Sequence, residues 1–137
     1  MIKIIVGSRG SGKTKTLIDQ INEAAKTSAG NVICLDKTLK LQYDLATNVR
    51  LVDIDQYGIK GFGEFLGFVC GLMAGNYDIT HIFVDSILKV GGAEKDLDGL
   101  GVMLGEIDEL KDAKDIEFVF TVSAEEAALP ESVRKYL

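Results

Sequence analysis

Eight consecutive residues near the amino end, Gly7-Ser8-Arg9-Gly10-Ser11-Gly12-Lys13-Thr14, fit the spacing G-x-x-x-x-G-K-[ST] without a gap. The chemistry of that spacing is anion capture. Gly7, Gly10 and Gly12 admit backbone angles closed to other residues and let main-chain N–H groups come close to a phosphate. A helix starting near Lys13 turns the positive end of its dipole toward the same place. Lys13 reaches the β- and γ-phosphate oxygens of a polyphosphate as a point charge, and the Thr14 hydroxyl is a ligand for Mg²⁺. Ser8, Arg9 and Ser11 fill the variable positions, where Arg9 meets either phosphate or a partner.

A second group of chemistry-bearing residues lies in the later half of the chain. His81-Ile82-Phe83-Val84-Asp85 is an apolar run that ends in a carboxylate. An acid at the end of a buried strand is costly without a cation or hydrogen-bond donors beside it. Its plainer use is to cap the segment that follows. Asp53 and Asp55 are rivals at the end of a shorter run. After Asp85 come Lys89, Gly91-Gly92, Glu94, Asp96 and Asp98, which read either as a mobile lid or as a solvated acidic connector. Thr121 and Ser123, at the end of the last apolar run, either sense a terminal phosphate or satisfy local backbone.

The elements that would position these groups follow from periodicity. Residues 2–6 form a short β-branched strand ended by Gly7. Residues 14–29 carry Leu17, Ile18, Ile21, Ala24, Ala25 and Ser28 at helical spacing, with Gly30 as the stop. Residues 31–35 and 50–54 read as strands. Residues 37–48 are ambiguous, because Leu39, Leu41, Tyr43 and Leu45 alternate as in a strand while no turn residue confirms a hairpin. Gly61–Gly75 is a helix whose Gly67, Gly71 and Gly75 recur every four residues, an arrangement that fits close approach to the sheet or to a partner helix. Ile79–Val84 is the clearest buried strand. A Gly-bearing acidic loop at 90–99 precedes a helix at 100–111, a strand at 116–122 and a partly helical tail broken at Pro130. Strands separated by helices predict an α/β domain of about five mainly parallel strands with helices on both faces. Ligands of such sheets bind at the carboxyl ends of the strands, where the residues above fall.

With its phosphate loop placed between a strand and a helix, the chain resembles a P-loop NTPase over 1–137. The loop is the Walker A motif of that family. The resemblance implies a three-layer nucleotide-binding domain, an ATP–Mg²⁺ site in which Gly7 to Thr14 hold the nucleotide, and catalysis through Lys13. It assigns the second, metal-holding motif to Asp85, beside Thr14. The size and strand pattern also resemble small bacterial P-loop proteins that carry a twitching-motility ATPase label, although oligomeric motility ATPases need an extra domain and more motifs than 137 residues hold.

Within that family the departures set the activity. The guanine signature [NT]-K-x-D is absent, and the D-x-x-G motif would need glycine at Leu88, so ATP is preferred by default. Recombinase, helicase and AAA ATPases place a glutamate after the metal-binding aspartate, and Ser86 stands there. Hydrolysis is therefore expected to be slow. Glu94 is near enough in sequence to swing in, against the plainer reading of a solvated charge. The leading expectation is a slow ATPase or ATP-dependent switch acting on a protein partner. A nucleoside-kinase-like phosphotransferase and a non-hydrolysing nucleotide-binding subunit are the alternatives. If the Asp85 strand neighbours the first strand, the architecture resembles kinases or GTPases. If the last strand lies between them, it resembles the recombinase type.

Composition bounds the partners. Fifteen Lys and Arg against twenty-one Asp and Glu leave a formal charge of −6, which argues against nucleic acid or an anionic membrane as a whole-face partner. The four tyrosines are scattered and build no stacking platform for single strands. The first six residues are too short for a signal peptide's apolar region, so a cytoplasmic protein is expected. Cys34 and Cys70 lack metal-ligand spacing and read as reduced core thiols. His81 reads as a packing residue. Of the arginines Arg9, Arg50 and Arg134, none is a clear catalytic finger, and homo-oligomerisation through the glycine face would complete such a site across an interface. Mean hydropathy is +0.17, high for a domain with a wet sheet face and accounted for by strands covered on both sides.

Overall fold

The computed structural model describes residues 1–92 and 95–137. Five strands, β1 (Ile2–Gly7), β2 (Asn31–Asp36), β3 (Arg50–Asp53), β4 (Ile79–Val84) and β5 (Glu117–Ser123), form one sheet. Every pairing is parallel, and the order is β1-β5-β4-β2-β3. Parallel neighbours require crossovers. Helices supply three of them: α1 (Lys13–Thr27) joins β1 to β2, α2 (Gly61–Gly75) joins β3 to β4, and the short α3 (Ile87–Val90) with α4 (Leu97–Glu109) lies between β4 and β5. The β2–β3 crossover has no helix, and a final turn α5 (Glu131–Arg134) follows β5.

Strand residues alternate between two cores. Val32, Cys34, Phe83 and Val119 point to one face and pack with Leu17, Ile21 and Ala24 of α1. Their neighbours Ile33, Leu35, Ile82, Val84, Phe118 and Phe120 point the other way, against Phe65, Val69 and Met73 of α2 and Leu100, Leu104 and Ile107 of α4. The result is a three-layer α/β arrangement, and it explains the hydropathy: the central strands have no wet side. Among the described residues no helix is long and apolar enough to cross a membrane.

Strand β5 lies between β1 and β4, which resolves the alternative left open by the pattern. Its register aligns Gly7 with Ser123 and Val84 with Phe120. The phosphate-binding spacing and Asp85 therefore leave the same edge of the sheet on either side of one strand.

Three expectations need correction. The glycine row of α2 does not approach the sheet: a Cβ at Gly67, Gly71 or Gly75 would meet nothing within 4 Å. Phe65, Val69 and Met73 face the core, and the glycines sit two residues away, on the opposite side of a 3.6-residue turn. Residues 37–49, left ambiguous by their pattern, form successive turns and bends. Leu41 is buried, while Tyr43 is 90% exposed. The acidic loop is shorter than 90–99, because α3 occupies its start and α4 begins at Leu97. Helix α1 ends at Thr27, before Gly30, with the Ser28 N–H bonded to Ala24 O at 2.8 Å.

Candidate functional site

The loop between β1 and α1 turns sharply, with the Ser11 N–H donating to Ser8 O at 3.1 Å. Gly10 and Gly12 have φ of 82° and 91°, a region that side chains with a Cβ rarely adopt. Gly12 is the N-cap of α1, so no side chain caps the helix, and no acid stands in the first turn. The first-turn residues include Lys13 and Lys15, cations at the positive end of the dipole. Left alone, this helix start is electrostatically unfavourable. An anion on its free N–H groups would correct it.

The loop opens on a cleft of about 590 Å³ that Arg9, Lys13, Lys40, Lys89 and Lys95 line, with Asp85 the single carboxylate among the described residues. A chain of net charge −6 thus gathers five cations around one concavity. Such focusing favours a multiply charged anion. Gly10, Thr14, Ser86 and Ser123 line the same cleft. The Lys13 ammonium folds back onto Ser8 O at 2.8 Å, across the mouth of its own loop.

Asp85 is only 1% exposed, and its surroundings explain how a carboxylate survives there. The β4–β5 register places Thr121 alongside it, and the Thr121 hydroxyl donates to Asp85 Oδ1 at 2.6 Å. That hydroxyl also accepts from the Ser86 N–H at 2.7 Å. With both roles filled, Thr121 positions Asp85 rather than reaching a ligand. Ser86 holds a left-handed backbone, φ 59°, the one positive φ outside glycine among the described residues. The Thr14 hydroxyl lies 3.4 Å from both Asp85 oxygens, too far for a strong hydrogen bond. The Lys40 ammonium stands 3.6 Å from Oδ2.

Threonine hydroxyl and carboxylate oxygens are the hard donors that Mg²⁺ takes, and the ammonium beside Asp85 already fills a cation's place there. No group of three His, Cys, Asp or Glu able to hold a metal exists among the described residues. A cation here would share its shell with water and phosphate, as Mg²⁺ commonly does. The residues fit the ion.

Other residues of interest fall elsewhere. Asp53 caps the turn after β3, accepting from the Asp55 N–H at 3.0 Å, and neither acid lines the cleft. Arg50 begins β3 at the far end of the sheet, and Arg134 donates to Glu126 O at 2.6 Å. His81 stacks on Phe83 with ring centroids 5.7 Å apart, and burial lowers its pKa against the opposing pull of Glu117. Both cysteines are free thiols. Burial, reinforced by the Asp36 and Asp85 carboxylates, raises the Cys34 pKa so far that it stays a protonated core thiol. Glu94 lies outside the described residues.

Two participants escaped the sequence reading. Lys40 comes from the turns after β2, and nothing in its neighbours marks it. Asp36 closes β2 and is 1% exposed. The run Val32-Ile33-Cys34-Leu35-Asp36 repeats the form of the Asp85 strand, an available signal. The Lys37 N–H donates to Asp36 Oδ1 at 2.8 Å, while Oδ2 is buried with no partner among the described residues. Burial raises the Asp36 pKa, the Lys40 ammonium lowers it, and Asp85 adds to the rise.

Neither a scan against protein-family models nor a search of curated proteins finds a match to the chain.

Proposed function

We propose that the cleft binds a nucleoside triphosphate with Mg²⁺, ATP by preference, and that the chain is a P-loop NTPase domain acting as a slow ATPase or ATP-dependent switch on a protein partner. One observation carries the reading. The uncapped, lysine-bearing start of α1 opens on a cationic cleft in which Thr14 meets the buried Asp85. A phosphate chain would satisfy the free N–H groups, and Mg²⁺, held by Thr14 and Asp85, would supply charge neutralisation.

The protein's own groups then have defined tasks. Lys13 leaves Ser8 O for a phosphate oxygen. Gly10 and Gly12 keep the loop amides turned inward. Thr121 holds Asp85 in place, and the nearly complete burial of Asp85 keeps water from its rear.

Slow turnover is supported by the residue after Asp85. Ser86 carries no carboxylate, and its N–H is committed to Thr121. Apart from Asp85, no carboxylate lines the cleft among the described residues to activate a water. The position of β5 between β1 and β4 resembles the recombinase type, which favours an ATPase over the nucleoside-kinase alternative.

The test is thermal unfolding with ATP, ADP and GTP, with and without Mg²⁺, for the native chain and Lys13→Ala. At a hundredfold excess over Kd, linkage adds about 2.7 kcal/mol, a rise in Tm of several degrees. The native protein is expected to show that rise with Mg²⁺–ATP and the variant none. An equal response in both proteins, or none in the native chain at millimolar nucleotide, overturns the proposal.

A further inference from the structure

We propose that Lys40 and Asp36 form a subsite for the terminal phosphate, by which the cleft tells a nucleoside triphosphate from the diphosphate. The inference rests on the nucleotide reading above and names two residues to which that reading gives no task.

The backbone that carries Lys40 is held against α1, the helix that begins at the phosphate loop. Leu41, its neighbour, is buried in the α1 core. The Asn22 side chain grips the same turns, donating to Asp44 O at 2.9 Å and accepting from the Ala46 N–H at 2.8 Å. Lys40 therefore has a fixed base and a long mobile stem, with its side chain 46% exposed.

Its ammonium stands against Asp85 Oδ2, on the carboxylate that Thr14 also approaches. A divalent cation brought to Asp85 and Thr14 would meet that ammonium as a like charge, and the weaker, singly charged group would give way. Asp36, at the end of the strand beside β4, offers an acceptor. Its Oδ2 is buried and unpartnered among the described residues, a costly state that an ammonium relieves. The charge of Lys40 already lowers the Asp36 pKa, so the two groups are within electrostatic reach.

The direction of the phosphate chain follows from burial. Asp85, 1% exposed, marks the deep wall of the cleft, and Asp36 is buried outside its lining, so the bulky nucleoside must stay at the open mouth. The innermost phosphate is the terminal one. Lys40, moved from Asp85 to Asp36, keeps N–H groups free for it. A diphosphate ends short of that wall and leaves them unused. Asp36 acts here as a positioning residue, through Lys40.

Calorimetric titration with Mg²⁺–ATP and Mg²⁺–ADP tests this, on the full chain and on Lys40→Met, Lys40→Arg and Asp36→Asn, each checked for folding by circular dichroism. The native protein is expected to bind ATP roughly tenfold or more tighter than ADP, the range for a charge-assisted hydrogen bond. Lys40→Met should erase the preference by weakening ATP alone, and Lys40→Arg should restore it. Asp36→Asn should reduce it with ADP affinity unchanged, a split that a merely structural loss would not give. A native protein that binds both nucleotides with a preference untouched by Lys40→Met overturns this inference and leaves the nucleotide site standing. A native protein that binds neither overturns both.

Discussion

Two helix starts in this protein meet the same problem in opposite ways. Every α-helix begins with N–H groups that have no partner within the helix. At α4 the chain solves this itself: the Asp96 carboxylate accepts from the Gly99 N–H at 2.8 Å, and Asp98 adds negative charge in the first turn. At α1 the cap position is Gly12, no acid follows, and the first helical residue is a lysine. The α4 start is complete without a ligand. The α1 start is unfavourable in isolation and faces a cleft lined by further cations. An uncapped, lysine-bearing start beside a cationic cleft supports the proposal that an anion completes α1.

The contrast breaks most sharply at Lys13. In Lys13→Glu the helix gains about 0.3–1 kcal/mol from an acid at its positive end. It loses an exposed hydrogen bond to Ser8 O of about 0.5–1.5 kcal/mol. Stability of the free protein, read by urea unfolding, should change by less than about 1 kcal/mol, while affinity for Mg²⁺–ATP falls roughly a hundredfold or more. A variant that keeps nucleotide affinity would place α1 in the same category as α4.

Gly12→Ala comes next. A Cβ there meets nothing within 4 Å, so the whole cost is the backbone, held at φ 91°. That conformation costs an L-residue about 1–2 kcal/mol, and relaxing it would turn the loop amides away from the cleft. Stability and nucleotide affinity should fall together. Asp96→Ala is the matched control. Losing a capping carboxylate costs about 1 kcal/mol of stability, and nucleotide affinity should stay within twofold of native. If affinity dropped in parallel with stability, the division of labour between the two helix starts would be wrong.

What the sequence revealed follows the range of the forces involved. The glycine turn and the cations of the β1–α1 loop were legible because they are local: eight adjacent residues carry both the backbone geometry and the charge. The strands were legible because burial on both faces leaves continuous apolar runs, as in Ile79–Val84. The glycine row of α2 misled because spacing shows which residues share a face, not which face turns inward; that was decided by Phe65, Val69 and Met73. Residues 37–48 stayed ambiguous for a related reason. An alternating pattern there reflects Leu41 reaching the α1 core while Tyr43 stays in water, with Asn22 holding the turns in place of strand partners. Lys40 was invisible because its importance arises only where β2 and β4 lie side by side. Asp36 could have been found, since its run matches that of Asp85. Strand order, a long-range property, came only from the fold.

A third helix start refines the comparison with the smallest effect. Ser86 is the residue before α3, left-handed at φ 59°, and its side chain makes no capping bond. What it contributes is main chain, the N–H that Thr121 accepts. In Ser86→Gly the N–H remains, so Thr121 should still hold Asp85. Relief of left-handed strain is worth about 1–2 kcal/mol to a residue with a Cβ, and the added freedom of glycine in the unfolded chain takes back about 0.4–1 kcal/mol. The expected net is a stabilisation of roughly 0.5 kcal/mol in urea unfolding, with Mg²⁺–ATP affinity unchanged. A fivefold loss of affinity in a variant that gains stability would mean that the Ser86 hydroxyl, which lines the cleft, touches the ligand. The α3 start would then belong with α1, as a helix end left open for an anion, rather than with α4.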